Sequence, residues 1–330
     1  MWQLQQSVET VDVAALLRAV DGLCASRQWD ELADLARRCR EAVERGKQLW
    51  PVATHIDYRL ALEGPASHAA AVLRPGAGRF ALGPLTEVAA STHDFESLAP
   101  YLADPISASA VVQERVLRGE DLQRPGVTPT ELPNRMLGWE PTYALPTYSD
   151  RQALFPQPDV ATRPLGSPRR MTTGRSLAEN GAESGVRALR AVAEVWASES
   201  NGSIDAAVVE GGAEDAVGCV ADHAALAEIS AAEALSLLQW AGASGGAHGR
   251  RRGGAAGRFS AWWAVAALTG IEWQDDVEEL GAALGGAVAE LTWYRWEPVH
   301  ATQGWTLRLA VVDPVDGLAW AVDARDDADG

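Results

Sequence analysis

Apolar side chains recur at helical spacing along the first third of the chain. In residues 12–25 and again in residues 29–45 they fall three and four positions apart, which is the pattern of an α-helix with one buried face. Asp104 and Pro105 begin a further helix, because the aspartate can cap free amide groups and proline suits the first helical position. Short helices joined by short loops predict an irregular antiparallel helical array over residues 1–119.

Prolines are concentrated in the middle of the chain. Eleven of the seventeen lie between Pro100 and Pro168, and none occurs in residues 169–297. Because proline removes a backbone donor and disrupts helices and central strands, residues 120–182 are predicted to be extended and loop-like. Large apolar side chains such as Trp139 are scattered through this region, which indicates an arm packed on a surface rather than a free linker.

The last part of the chain mixes strand and helix patterns. Apolar runs at residues 204–211 and 224–230 have the length of strands and end near glycine or polar residues. Ser230 and Glu233 form a capping box that begins the next helix. Strands and helices therefore alternate in this region.

Three segments of alternating polarity close the chain, at residues 289–297, 305–311 and 318–322. Turns containing glycine separate them, so they are predicted to form a three-stranded antiparallel meander. Tryptophans on one face of this meander should bury against two tryptophans of a preceding helix. These residues are Trp293, Trp305 and Trp320 in the strands, and Trp262 and Trp263 in the helix.

Together these patterns predict a mostly α fold with an α+β C-terminal part. An irregular antiparallel helical array is followed by a mixed domain that closes in the meander. The predicted domains are a helical array (1–119), a proline-rich extended arm or linker (120–182) and an α+β domain (183–330).

Several segments of the last third of the chain resemble a family of uncharacterised actinobacterial proteins. These segments are GGAHGRRRGGAAGRFSAWW, TWYRW, GWTLRLAV and DGLAWAVDA. That family has no assigned activity and no known catalytic residues. The resemblance therefore implies no function for any position of this chain.

Charge and composition argue against several classes of protein. The formal net charge is −17, so most of the surface should repel nucleic-acid phosphates. The three cysteines show no short spacing, no basic run followed by an apolar core begins the chain, and no eighteen apolar residues run without a charge. These features predict a cytoplasmic protein without a nucleic-acid partner, a signal peptide or a membrane span.

One stretch combines arginine with glycine: GASGGAHGRRRGGAAGRF, residues 242–259. Glycines leave backbone amides accessible, the start of the helix at Phe259 adds partial positive charge, and guanidinium groups bind anions through forked donors. The predicted anion site consists of His248, Arg250, Arg251, Arg252 and Arg258. In an alternative interpretation, the glycines let two helices approach closely while the arginines neutralise acids such as Glu233 or Asp276.

The first five residues of this stretch, GASGG, match the G-x-S-x-G pattern of serine hydrolases. Ser244 would then be the nucleophile, His300 the base, and Asp275 or Asp276 the acid. That pattern requires a strand before the serine, whereas the capping box at Ser230 predicts a helix there. The histidines show no ligand spacing and no C-x-x-C occurs, so neither a metal nor a cofactor is expected.

Three functions remain open at this point. The first is an interaction or scaffold protein that presents a helical surface to a protein partner or to a second copy of the chain, with the arginine loop as an anchor for an acidic group. The second is an enzyme or binding protein for a small molecule whose phosphate or carboxylate lies in the loop of residues 242–258. The third is the serine hydrolase. The helical array and the lack of a predicted strand before Ser244 favour the first.

Overall fold

The computed structural model describes residues 2–127, 130–160, 165–175, 183–300 and 304–327. The chain forms two compact units, each held together by its own internal contacts. Unit 1 comprises Met1–Leu122 and Pro146–Phe155, and unit 2 comprises Gln123–Leu145 and Pro156–Gly330. The chain therefore passes from unit 1 into unit 2, returns briefly to unit 1, and then completes unit 2.

Unit 1 is built almost entirely from helices. Its elements in the described residues are α1 (Trp2–Thr10), α2 (Val13–Ala25), α3 (Trp29–Glu44), α4 (Trp50–Glu63), α5 (Ala66–Ala71), α6 (Leu85–Thr92), α7 (Phe95–Leu98), α8 (Pro105–Leu117), and the short antiparallel strands β1 (Thr147–Tyr148) and β2 (Ala153–Leu154). Helix α4 packs against both α3 and α6, and α6 also packs against α8. The predicted start of α8 is confirmed, because Asp104 Oδ2 accepts a hydrogen bond from Ser107 N at 2.7 Å.

Unit 2 combines helices with a sheet. Its elements in the described residues are β3 (Arg169–Arg170), α9 (Glu183–Ser198), β4 (Ser203–Glu210), α10 (Ala213–Val217), β5 (His223–Ile229), α11 (Ala231–Ala243), α12 (Gly254–Thr269), α13 (Val277–Glu290), β6 (Thr292–Pro298), β7 (Trp305–Asp313) and β8 (Leu318–Asp326). The capping box of Ser230 and Glu233 is present at the start of α11. Gly270 ends α12 with a φ of 66°, a conformation that favours glycine.

The six strands of unit 2 form one antiparallel sheet in the order β3-β5-β6-β7-β8-β4. Side chains alternate between its two faces, so Leu309 and Val311 join the larger core together with residues of α9, α11, α12 and α13. Ala310 points to the opposite face and joins a smaller core beside α10. The sheet is thus covered on both faces.

The structure confirms the α+β class and corrects the extent of the sheet. The three C-terminal strands are consecutive antiparallel neighbours, but they belong to a sheet of six strands, so the prediction of a three-stranded sheet is wrong. Of the three further strands, β4 and β5 coincide with apolar runs of the sequence, whereas the two-residue β3 does not. The pairing of β4 and β5 with the closing strands depends on long-range contacts that a local pattern does not reveal.

The tryptophan core is confirmed except at one position. Trp262, Trp293 and Trp320 are buried, and Trp305 packs against the same core. Trp263 is 44% exposed, so the prediction that it is buried against the sheet is wrong. Consecutive residues of an α-helix point about 100° apart, and α12 can direct only one of the two indoles into the core.

In the part of the chain that the structure describes, no helix has both the length and the apolar character needed to cross a membrane.

Candidate functional site

Strands β6 and β7 separate part-way along their length. The last residue pair in register between them is Arg295 with Leu309. Beyond that pair, β6 continues to Pro298 in register with β5, and β7 reaches back to Trp305 in register with β8. The sheet therefore opens between two strands that are paired along their other halves.

A cavity of about 230 Å³ lies at this opening. Its wall includes Trp240 from α11, Arg295 and Glu297 from β6, and Thr306 and Arg308 from β7. The segment 157–160 also contributes to the wall. All of these residues belong to unit 2, so one compact unit contains the whole cavity.

Two residues of this wall each have a buried donor that has no hydrogen-bond partner among the described residues. The donors are Nε1 of Trp240 and Nε of Arg295. Both groups can only donate, because an indole N–H and a guanidinium N–H have no acceptor lone pair. Leaving a buried donor without an acceptor costs about 1–3 kcal/mol. A ligand that reached these two groups would have to supply acceptor atoms.

Arg308 is held in place by two carboxylates. Its Nη1 lies 2.7 Å from Glu297 Oε2 and its Nε lies 2.9 Å from Asp323 Oδ1. The register of β7 and β8 places Asp323 directly opposite Arg308. The guanidinium carbon also lies 5.7 Å from the centre of the Trp296 ring, within the range of a cation–π contact. The charge of Arg308 is thus balanced within the protein.

Aromatic packing fixes the ring of Trp240. The ring stacks on Trp305 with a centroid distance of 5.0 Å and an interplanar angle of 7°. Trp196 contacts the same ring edge to face at 5.7 Å. Because both neighbours constrain the indole plane, its N–H has a defined direction without any ligand contact.

The glycine-rich stretch serves helix packing at two positions. A β-carbon at Gly257 of α12 would overlap the backbone oxygen of Gln239 in α11. A β-carbon at Gly242 would lie 2.7 Å from Cβ of Ser260, which is closer than real β-carbons approach. These contacts agree with the alternative interpretation, in which the glycines let two helices approach closely.

Backbone amides of the loop between α11 and α12 donate to acceptors within the protein. Ala247 N donates to Asp326 Oδ2 at 2.5 Å, and His248 N donates to Ser200 Oγ at 3.0 Å. The amides of Arg252 and Gly253 both donate to the carbonyl of Ala243. The amides expected to cradle an anion thus have protein partners at four positions.

The side chains predicted to bind an anion are not all in one place. His248, Arg250 and Arg252 are exposed and Arg251 is half-buried, all within the loop. Arg258 is fully buried in an ion pair with Glu140, whose Oε1 lies 2.6 Å from Arg258 Nη2. Arg258 is therefore not part of a site in the loop, and an anion site formed by the other four residues stays a prediction.

Ser244 occupies a structural position. It ends helix α11 and is 2% exposed. Its hydroxyl accepts a hydrogen bond from Trp196 Nε1 at 2.7 Å and donates to the carbonyl of Ala241 at 3.1 Å. A helix precedes the serine, so the strand-to-helix turn that exposes a hydrolase nucleophile is missing. Asp276, the proposed acid, instead caps α13 by accepting from two backbone amides.

Sequence reasoning did not single out the cavity residues as a site. Arg295 and Arg308 interrupt strands that otherwise carry apolar and aromatic side chains, in TWYRW and TLRLA. A charged residue inside such a strand can indicate a functional site, because a buried arginine requires a partner that balances its charge. Trp240 gave no signal, since its spacing in α11 is that of an ordinary core residue.

Within the described ranges, no three residues among histidine, cysteine, aspartate and glutamate lie close enough together to hold a metal ion. Comparison with protein families matches residues 14–329 to a model described as "Family of unknown function (DUF6183)". The match covers nearly the whole chain, well beyond the last third on which the resemblance was based. Searches of curated proteins and of solved structures found no significant match.

Proposed function

The chain belongs to this family of unknown function, and we propose that unit 2 binds a small carboxylate ligand in the cavity between β6 and β7. The observation that carries the proposal is that two residues lining one cavity, Trp240 and Arg295, each have a buried donor without a partner among the described residues, Nε1 and Nε respectively. A carboxylate offers two oxygen atoms and about four lone-pair sites, so it supplies acceptors and no donor, which is what both groups lack.

The cavity wall has two arginines and two carboxylates, Glu297 and Asp159, so it has no net positive charge. Glu297 and Asp323 balance Arg308, whereas Arg295 has no carboxylate within ion-pair distance among the described residues. A phosphate dianion would bring a second charge next to Glu297 and Asp159, which also line the cavity. A ligand with one negative charge therefore suits the cavity better than a ligand with two.

The size of the cavity limits the ligand. Drug-sized ligands occupy pockets of about 300–1,000 Å³, and this cavity is smaller at about 230 Å³. Leu237 and Val160 add apolar wall beside the Trp240 ring. The expected ligand is therefore a short aliphatic or single-ring carboxylic acid.

Thermal unfolding with a panel of monocarboxylates, from acetate to benzoate, tests the proposal. A ligand at one hundred times its Kd stabilises the folded state by about 2.7 kcal/mol and should raise Tm by a few degrees. The matched primary amides are uncharged and should give smaller shifts. The proposal fails if no carboxylate of the panel raises Tm more than its amide does.

Substitutions at the cavity residues show whether a carboxylate that raises Tm binds in this cavity. Trp240→Phe and Arg295→Gln each remove one of the two donors and should reduce the carboxylate-induced shift. Trp293→Phe is the matched control, because Trp293 Nε1 is also buried without a partner but does not line the cavity. An equal loss of the shift in all three variants would place binding elsewhere.

Binding of a protein partner is a second candidate function, favoured by a groove between α9 and α12. The groove has a volume of about 480 Å³, and its lining includes Arg252, Glu194, Phe259 and Trp263. The rings of Phe259 and Trp263 are nearly parallel, at 11°, and the indole is 44% exposed. Exposed aromatic side chains beside an arginine are typical of the centre of a protein interface.

The partner that suits this groove is an acidic peptide segment with a neighbouring apolar side chain. Such a segment would place its carboxylate at Arg252 and its apolar group on Trp263. A peptide library tests this, since binding should require an acidic residue and should weaken at least tenfold in Arg252→Gln and in Trp263→Ser. Self-association abolished by Trp263→Ser would instead identify a second copy of the chain as the partner.

A further inference from the structure

Unit 1 contains a second cleft that is independent of the carboxylate cavity. It has a volume of about 440 Å³ and lies between α3, α4 and the loop of residues 74–80. Gly76 and Gly78 in this loop have φ values of 77° and 69°, which side chains rarely adopt, so the loop conformation depends on glycine. The volume falls within the range of pockets for metabolite-sized ligands.

An aromatic pair stands at the cleft. Trp50 is 40% exposed and Phe80 is 57% exposed, with ring centroids 4.4 Å apart and an interplanar angle of 48°. Large aromatic side chains are normally among the most buried residues of a domain. Two exposed rings in contact with each other provide a surface on which another planar ring can pack.

Arginines outnumber carboxylates in the same cleft. Arg40, Arg74 and Arg79 line it together with Asp57 and Glu44. Asp57 is buried, and burial raises the pKa of its carboxyl group, against the effect of Arg40 and Arg74. Three arginines and two carboxylates leave the cleft with one excess positive charge.

The three arginines differ in their distances from Asp57 and from the Phe80 ring. Arg40 Nη1 lies 2.9 Å from Asp57 Oδ1, so Arg40 balances the buried carboxylate. Arg74 Nη2 is 3.8 Å from Asp57 Oδ2, too far for a hydrogen bond, and its side chain is about half exposed. The guanidinium carbon of Arg79 lies 5.7 Å from the centre of the Phe80 ring. Arg74 and Arg79 therefore bring cationic groups to the loop that also carries an aromatic ring.

We propose that this cleft binds a molecule that joins an aromatic ring to an anionic group, with the ring on Trp50 and Phe80 and the anion at Arg74 and Arg79. Guanidinium groups bind phosphates and carboxylates through paired donors, and they also stack on aromatic faces. An uncharged aromatic ligand would not pair with the excess positive charge of the cleft. An inorganic anion would pair with the arginines but would not stack on the rings of Trp50 and Phe80.

Calorimetric titration of the full chain with two probes tests the proposal: adenosine monophosphate and phenyl phosphate. Adenosine and inorganic phosphate are the controls, each of which has only one of the two features. At least one probe should bind at least tenfold more tightly than both controls. The proposal is overturned if no probe binds at least tenfold more tightly than both controls.

Variants locate the binding. Trp50→Leu and Arg74→Gln should each weaken the probe at least tenfold, and both positions are exposed enough for the fold to tolerate the change. Arg37→Gln is the matched control, since Arg37 is an exposed arginine of α3 outside the cleft. Full affinity in both cleft variants would overturn the assignment, as would an equal loss in Arg37→Gln.

Discussion

Arg258 and Glu140 form a bidentate ion pair in which neither side chain is exposed. The Glu140 carboxylate also accepts from Trp262 Nε1 at 3.0 Å, and Arg258 donates to the carbonyls of Pro133 and Arg135. The pair therefore fastens the segment Gln123–Leu145 to helix α12 within unit 2. One arginine of the glycine- and arginine-rich stretch thus serves the fold, because its donors are used inside the core.

Glu140→Gln should destabilise unit 2 by about 3–5 kcal/mol, since it leaves the Arg258 charge buried without its counterion. The free energy of unfolding in urea measures this. Glu278→Gln is the matched control: its ion pair with Arg135 is about 40% exposed on both sides. An exposed pair contributes about 0–1 kcal/mol. Equal destabilisation by the two substitutions would contradict the structural role of Glu140.

Two glycines in helices should respond to alanine in opposite directions. Gly257→Ala should destabilise the protein by about 1–3 kcal/mol, because the new methyl group overlaps the backbone of α11. Gly286→Ala in α13 meets no atom within 4 Å and should stabilise the protein by about 0.5–1 kcal/mol. Thermal unfolding of both variants checks this. A neutral Gly257→Ala would show that the two helices do not approach as closely as described.

The cysteines should differ in reactivity. Burial raises the pKa of Cys24 and of Cys39 to about 11, so their reactive thiolate forms are scarce at pH 8. Cys219 is half-buried and should react first with an aromatic disulfide reagent. Following the rate of labelling in the native protein, with Cys219→Ser as control, tests the order. Rapid labelling of Cys24 or Cys39 would mean that unit 1 opens locally.

The division into domains 1–119, 120–182 and 183–330 stays a prediction. Limited proteolysis should cut between residues 160 and 182, where arginines meet proline and glycine in the sequence. Mass spectrometry of the fragments locates the cuts. Cleavage within residues 30–119, with protection of 160–182, would argue against this division.

Local signals in the sequence predicted helix ends and strands better than they predicted the site. Asp104 and Ser230 cap the starts of helices as expected, because a cap depends only on residues within one turn. The position of β4 beside β8 depends on contacts across more than one hundred residues, so no local pattern revealed it. Arg295 and Trp240 line the same cavity only because α11 packs over the point where β6 and β7 separate.

The indole N–H signal of Trp240 in a ¹H–¹⁵N NMR spectrum tests the carboxylate site most directly, after assignment with Trp240→Phe. Titration with the monocarboxylate that most raises Tm should shift this signal in a saturable way and move it downfield, as expected when the N–H gains an acceptor. The Trp293 signal should change little. The account is contradicted if the Trp240 signal stays in place while the protein is saturated with the carboxylate, or if both indole signals shift alike.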